Sequence, residues 1–418
     1  MRTESTHSSA ILKYYLYRLS DSVGFIWPVF TLFLLWNDLS YTQIGTLSAV
    51  SAVLVVVFEL PTGYIADRIG RRNTLATGMA AMSLSLAGFV VADTFRAFVA
   101  LYIVWSLSMA LHHGTDDAWL YATLRTTADE EAFTRVKGRG GAVSQLGSAV
   151  TMIAGGFLYV AHPVYPFVAS ALLNACGVVV VLSMPRNSQF DGKTASTTRP
   201  RQSLRILRTQ FLRPPLRSFV SFVALFFGVV AAADSYIQPI VVDVFAGLSV
   251  GGPASMTAMP EEATLGFVYA GFAVVAATAS YHADTVGDWV GEHVALASVP
   301  TVVAGVLVFP ALVPAAALPV FFVMKGGEAL AKPLVGQYLN DRAAETERAT
   351  VLSAASMSYA VVRAPLKPLA GVVADVSTPI TAVAALGVTF VASAGLLFVI
   401  TTPVESSADT TYQVPAED

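Results

Sequence analysis

Cysteine is almost missing from this chain. Cys176 stands alone among 418 residues, so no internal disulfide can form, and its place inside an apolar run predicts a buried small hydrophobe. Charge is scarce too. Asp, Glu, Lys and Arg make up 13% of the sequence, about half the share found in soluble domains. What charge there is carries no basic excess: 25 Lys and Arg stand against 28 Asp and Glu, which gives nucleic acid no electrostatic footing. A nucleotide-binding loop is lacking, because Gly138-Arg139-Gly140-Gly141 is not followed by Lys and Ser or Thr. An ATP-driven pump is therefore disfavoured. No His or Cys cluster has metal-ligand spacing, and Asp116-Asp117 by itself does not make a metal pair. With no nucleophile–base constellation either, the sequence predicts neither an enzyme nor a cofactor. The first apolar stretch, about residues 12–36, exceeds the roughly 7–15 residues of a cleavable leader and contains Arg18 and Asp21, which predicts a retained helix.

What fills the chain instead is apolar: 55% of residues are hydrophobic and the mean hydropathy is +0.63. Lipid is the solvent that suits such a composition. Spans of about 20 apolar residues lie end to end at approximately 12–36, 41–65, 74–92, 97–123, 141–161, 164–184, 217–245, 263–282, 293–311, 315–339, 350–373 and 380–402. The expected class is an all-α integral membrane protein with twelve transmembrane helices in two pseudo-symmetric six-helix bundles. Residues 1–184 form the first bundle, 185–216 a linker, 217–402 the second bundle and 403–418 a tail. The linker carries Arg186, Lys193, Arg199, Arg201, Arg205, Arg208 and Arg213, while Leu204, Ile206, Leu207 and Phe211 suit its latter part to an amphipathic surface helix.

Cation placement sets the expected orientation. With the N-terminus inside, the inner segments hold Arg2, Lys13, Arg68, Arg71, Arg72, Arg125, Arg135, Lys137, Arg139, the linker cluster, Arg217, Arg342 and Arg348. The outer loops hold only Arg96. A multi-pass protein of the cell membrane with both termini and the linker cytoplasmic is the expectation. The loop after the eighth span, with Asp284, Asp288 and Glu292 and no cation, adds nothing to it.

The segment Gly63-Tyr64-Ile65-Ala66-Asp67-Arg68-Ile69-Gly70-Arg71-Arg72 separates the second and third spans. A fainter copy, Ser280 to Trp289, recurs 217 positions later and keeps Tyr281, Ala283, Asp284 and Gly287 in register without the cations. Gly63 is expected to admit a neighbouring backbone, Asp67 to accept from helix N-terminal amides, and Gly70 to make the tight turn. Other echoes lie at offsets of about 211–217. Asp21-Ser22 before Trp27-Pro28 matches Asp234-Ser235 before Gln238-Pro239; His113-Gly114-Thr115-Asp116 matches Lys325-Gly326-Gly327-Glu328; Gly156 matches Gly371. Their shared order argues for two halves descended from one unit.

On the basic loop and its echo, the chain resembles the major facilitator superfamily of secondary transporters over nearly its whole length. Glu59-Leu60-Pro61-Thr62-Gly63 and Arg348-Ala349-Thr350-Val351-Leu352-Ser353 fit the same family. The resemblance implies a small-molecule cargo, a coupling proton, a lipid bilayer as surroundings, and a cavity lined mainly by spans 1, 4, 7 and 10 that opens alternately to each side. It also implies that Gly63, Asp67, Arg68, Gly70, Arg71 and Arg72 act as a conformational latch. In the fifth span, Gly138, Gly147, Gly155 and Gly156 fit the spacing of the family's drug antiporters, but Thr151 and Met152 replace its Gly-Pro pair. Ala110 stands where proton-coupled relatives carry a buried arginine. Proton-coupled efflux of amphipathic compounds is the favoured expectation, with ion-coupled import of an anionic or polar metabolite as the alternative.

Ionisable groups within the spans are the candidate site, since each costs roughly 2.5–3.5 kcal/mol at the bilayer centre on insertion scales and so needs a partner, water or a task. Asp21, Asp116, Asp117, Asp234, Lys325, Glu328, Lys332 and Arg363 are the candidates for substrate binding and coupling. Arg18 and Asp21 are spaced to pair within one helix. Lys325, Glu328 and Lys332 share one stripe, as do Arg363 and Lys367. A static ion-pair network and a proton-coupling device are both compatible with that spacing. So are two charge balances, an anion docked on the later half or an acidic cavity left when carboxylates consume the bases. His112 and His113 beside the acids suit a proton relay or plain hydrogen bonding. Gly24, Gly114, Gly147, Gly155, Gly156, Gly326, Gly327 and Gly371 are expected to serve packing and bending, and Trp27, Trp105 and Trp119 to line a cavity or face lipid.

Overall fold

The computed structural model describes residues 2–21, 24–126, 132–186, 214–251, 259–343, 348–401 and 403–404. Among these, all regular structure is helical: α1 (Arg2–Ser20), α2 (Phe30–Trp36), α3 (Tyr41–Ile69), α4 (Arg71–Phe89), α5 (Phe95–His112), α6 (Thr115–Thr126), α7 (Phe133–Ala161), α8 (Tyr165–Ser183), α9 (Pro214–Ala233), α10 (Ile237–Gly251), α11 (Glu261–Tyr281), α12 (Ala283–Val290), α13 (Glu292–Val306), α14 (Phe309–Leu312), α15 (Ala317–Arg342), α16 (Arg348–Val376) and α17 (Pro379–Ile400). Each of the twelve expected spans falls on a helical passage. Eight stretches among the described residues are long and apolar enough to cross a membrane by composition alone. The stripe of Lys325, Glu328 and Lys332 puts three charges within eight residues of α15. Nearly all of the linker, including the expected amphipathic stretch, lies outside the described residues.

Four expected spans are not single helices, the ninth passing from α13 into α14 through a turn at Leu307 and Val308. Span 1 ends as α1 at Ser20 and resumes through a 3-10 turn at Trp27–Val29, while span 7 tightens into a 3-10 turn at Asp234–Tyr236 between α9 and α10. A proline lies on the downstream side of both breaks. Pro28 sits in the first 3-10 turn, and Pro239, third in α10, has no N–H to donate to Ser235 and crowds that carbonyl. The two sites are the Asp-Ser pairs matched in sequence, so the duplication extends to the interruption itself. Span 4 breaks at Gly114, whose φ of +71° ends α5 and starts α6. Its sequence counterpart around Gly326 is continuous within α15.

The second copy of the basic loop differs from the sequence register. In the first copy α3 ends at Gly70 (φ +83°, ψ 145°) and α4 begins at Arg71; in the second the same turn is made by Gly291 (φ +90°, ψ 132°), with α13 beginning at Glu292. Gly287 lies inside α12. The carboxylate three residues before the turn is thus Asp288, not Asp284, and Arg71 and Arg72 are answered by Glu292 and His293. A negative charge in the first turn of α13 suits the helix dipole.

Contacts divide the chain into two compact units, Met1–Ser196 with Val241–Ala273, and Thr197–Ile240 with Val274–Asp418. In the first, one core gathers Phe33, Phe89, Phe98 and Phe167, all fully buried. A second joins Tyr14, Tyr17, Met79, Trp119 and Val136. Trp119 is core rather than cavity or lipid surface: its ring stacks on Tyr14 and its Nε1 donates to the Pro185 carbonyl at 3.3 Å. Glycines set the closest approaches. A Cβ on Gly155 would strike the Phe25 carbonyl, one on Gly156 would lie 2.9 Å from the Ala263 carbonyl, and one on Gly266 2.6 Å from that of Met152. These contacts lay α11 on α7 and account for residues 241–273 joining this unit. At Gly63 a Cβ would meet nothing within 4 Å, so the expected close approach is not made among the described residues. In the second unit Phe222, Phe226 and Phe390 form the aromatic core, and Phe219 packs on Tyr338 at 4.0 Å.

Large apolar side chains face outward along the helices, among them Leu146, Val150, Leu172, Val179, Leu396 and Val399. Cys176 shares this outer face of α8 and is exposed, contrary to its expected burial. The reason is that in a lipid-solvated chain an apolar run does not distinguish inside from outside.

Candidate functional site

In the basic loop of the first unit, two arginines are docked and the acid is not. Arg71 Nη1 donates to the Ala118 carbonyl of α6 at 2.6 Å, and Arg72 Nη1 donates to the carbonyls of Leu182 and Met184, 3.1 and 3.3 Å away, at the end of α8. At the end of α8, Arg72 satisfies orphan carbonyls and favours the dipole. Arg68 lies over the Tyr64 ring, 4.7 Å from its centroid. Asp67 is exposed and makes no hydrogen bond or ion pair among the described residues.

The polar cluster deeper in this unit pairs differently from its sequence spacing. Arg18 Nη1 donates to Asp116 Oδ2 at 3.0 Å, not to Asp21, because α1 stops at Ser20 and carries Asp21 into the turn. Asp21 faces His112 instead, with 3.9 Å between Oδ1 and Nε2. His112 Nδ1 lies 2.9 Å from the Ser108 carbonyl, so a neutral ring donates there and only a doubly protonated ring can donate towards Asp21. Its imidazole stacks on Tyr17 and rests against Gly78, where a Cβ would come within 2.7 Å of Cε1. Asp117 pairs with Lys137 at 2.6 Å and His113 with Glu59 at 3.1 Å, both near the surface. Sequence reasoning missed these two partners, which lie 20 and 54 positions away and leave no periodic signal.

In the second unit the charged stripe of α15 splits. Lys332 Nζ donates to Glu328 Oε1 at 2.8 Å within the helix, whereas Lys325 Nζ reaches across to Asp234 at the break between α9 and α10. The latter pair is the more enclosed, with side chains 18% and 23% exposed. Gly326 and Gly327 occupy the opposite face of α15 at 100° per residue and pack against Val275 and Val303, which turns the charges inward. Gly228 brings α16 close to α9: a Cβ there would lie 3.0 Å from Leu366 and 3.2 Å from Val362. Arg363 and Lys367 of α16 are thereby held partly buried beside the two ion pairs, with no carboxylate partner among the described residues. A cavity of about 460 Å³ opens among these helices, lined by Glu328, Lys332 and Arg363 together with Phe227, Leu352 and Tyr359. Its size lies within the roughly 300–1,000 Å³ of small-molecule sites. Of the candidate residues, Glu328, Lys332 and Arg363 line this cavity and the Asp234–Lys325 pair lies beside it, while Asp21 and Asp116 form the separate cluster of the first unit and Asp117 lies apart.

Comparison with known proteins agrees with this architecture. Residues 16–366 match the family model described as Major Facilitator Superfamily. An uncharacterized MFS-type transporter, YxaM of Bacillus subtilis (strain 168), is 27% identical over 146 residues, so the alignment spans 35% of this chain and 36% of that protein. Among solved structures, the nucleoside transporter NupG superposes with a TM-score of 0.73 at 11% identity, covering 94% of this chain and 98% of that one. A D-xylose-proton symporter gives 0.62 at 14%, covering 96% and 98%. A bacterial homolog of the human lysosomal transporter Spinster, in an inward-facing and occupied conformation, gives 0.65 at 15%, covering 99% of each. At such identities the likeness is one of fold.

Proposed function

Because the chain belongs to the major facilitator superfamily, and is thus a transporter rather than an enzyme, we propose that it moves a small amphipathic molecule across the cell membrane by alternating access, coupled to protons. One observation carries this reading: the carboxylate that lines the cavity, Glu328, is held by Lys332, and the carboxylate at the nearby helix break, Asp234, is held by Lys325. A proton or a cargo charge can replace either lysine, which ties ligand binding to the helix positions. The test is reconstitution into liposomes with an imposed pH gradient and a broad compound panel. Accumulation that survives collapse of the gradient would remove the proton from the scheme.

Export is supported by the glycine spacing of α7, although Gly147, Gly155 and Gly156 all make tight contacts that packing alone explains. Import of an anionic or polar metabolite is the second reading, and the cations Arg363 and Lys367, which contact no carboxylate among the described residues, favour it.

The proposed organisation is a first half at 1–184, a cytoplasmic linker at 185–216, a second half at 217–402 and a cytoplasmic tail at 403–418, with both termini inside. In a Cys176→Ser background, a cysteine placed at Ser196 will resist impermeant thiol reagents in intact cells and react in opened ones. Labelling from outside would reverse the topology. For the loop, we propose that Asp67 with Gly63, Arg68, Gly70, Arg71 and Arg72 latches one state of the cycle, the exposed carboxylate being free to engage. Charge-assisted hydrogen bonds contribute roughly 1.5–3 kcal/mol, so Asp67→Asn will lower turnover about tenfold or more at normal membrane insertion. Unchanged transport by that variant would retire the latch.

A further inference from the structure

Two anions and four cations cluster in the second unit: Glu328, Lys332 and Arg363 line the cavity, and Asp234, Lys325 and Lys367 lie beside them within electrostatic reach. Each carboxylate already has a lysine in contact, so Arg363 and Lys367 are left without a contacting carboxylate among the described residues. Arg363 lines the cavity, and Lys367 lies one helical turn further along the same face of α16, within electrostatic reach of Arg363, Asp234 and Lys325. A partly desolvated cation without a partner is costly, and the cost is removed by an anion delivered to it. The guanidinium presents a planar fork that fits a carboxylate or phosphate with two parallel bonds. Beside it the walls become apolar at Phe227, Leu352 and Tyr359.

We propose that this cavity is an anion subsite, in which Arg363 holds the carboxylate, sulfonate or phosphate end of an amphipathic cargo while Phe227, Leu352 and Tyr359 hold its apolar body. The proposal rests on the transporter reading above and names the cargo class for it. It also sets the sign of coupling. An anion held at Arg363 and a proton placed on Glu328 or Asp234 have opposite charge, so each favours the other, and by reciprocity of linkage cargo and proton travel together. Export by exchange would instead require the two to compete, as a cationic cargo does.

The experiment is equilibrium binding to the full chain in neutral phosphatidylcholine nanodiscs, with no proton gradient and with empty nanodiscs as reference. The probes are octanoate, octanol and octylammonium, which share one apolar body, together with benzoate. Octanoate should bind tightest. Arg363→Gln should weaken octanoate about 10- to 100-fold and octanol less than about twofold, and Arg363→Lys should recover part of the loss by restoring charge without the fork. Glu328→Gln removes the negative charge beside Lys332 and should tighten octanoate about 3- to 10-fold, a gain that misfolding cannot produce. Octylammonium binding more tightly than octanoate, neither anion binding at millimolar concentration, or octanoate affinity unmoved by both glutamine variants would overturn the proposal. Competition by added phosphatidylglycerol would reassign the subsite to a lipid headgroup and overturn the cargo reading. Because no gradient is present, loss of the anion preference leaves proton coupling untouched, and loss of gradient-driven transport leaves the preference measurable.

Discussion

Glu328→Gln will abolish accumulation driven by a pH gradient while leaving cargo binding measurable. The substitution keeps the shape of the side chain and its reach to Lys332, 2.8 Å away in the native helix, but removes the only change of charge that a proton could produce there. Coupling needs a group whose protonation differs between the two states of the cycle, and a glutamine has none. Asp234→Asn is the comparison. It sits at the interruption between α9 and α10, bonded to Lys325 of α15, so a change of charge there acts where the helix is already discontinuous. The measurement is uptake into proteoliposomes with and without the gradient, alongside binding at equilibrium. If both variants still accumulate cargo against a gradient, neither carboxylate couples, and the two ion pairs are static braces.

Removing one member of the Asp234–Lys325 pair will destabilise the second unit by about 3–5 kcal/mol, the scale set by leaving a buried charge without its partner. Lys325→Met should therefore lower the unfolding transition in mild detergent sharply. Adding Asp234→Asn to it should restore most of the loss, because replacing both charges together leaves nothing unpaired. The same two changes on Glu328 and Lys332 should cost much less, since the Lys332 side chain is 62% exposed and water compensates it. A double variant no more stable than Lys325→Met would mean that the pair does not set the local energy.

The helices were legible because hydropathy and span length are one-dimensional properties. Pro28 and Pro239 mark two of the breaks, but long apolar runs hid the interruptions behind their average. Partners were far less legible. Arg18 has Asp21 three residues away and chooses Asp116 across the unit, because the end of α1 removes the helical geometry on which the nearer pairing depends. Lys325, Glu328 and Lys332 share a stripe by spacing, yet only Glu328 and Lys332 bond to each other, since the close packing of α15 puts Asp234 within reach of Lys325. Inward and outward faces were the least legible, as Cys176 and Trp119 illustrate: burial is decided by which neighbour arrives, and lipid hides the usual polar signature of an outer surface.

The two turn glycines lie 221 positions apart, four more than the separation of the loop and its echo in sequence. Four residues lengthen a helix by about 6 Å and rotate its downstream end by about 40° beyond a full turn. A helix at this point can therefore grow or shrink by one whole turn during divergence without exchanging its protein-facing and lipid-facing sides, whereas a gain of two residues would reverse them. The two halves differ by one such turn, and any pairing of them must open a gap of one turn between Asp284 and Gly291 before their residues correspond.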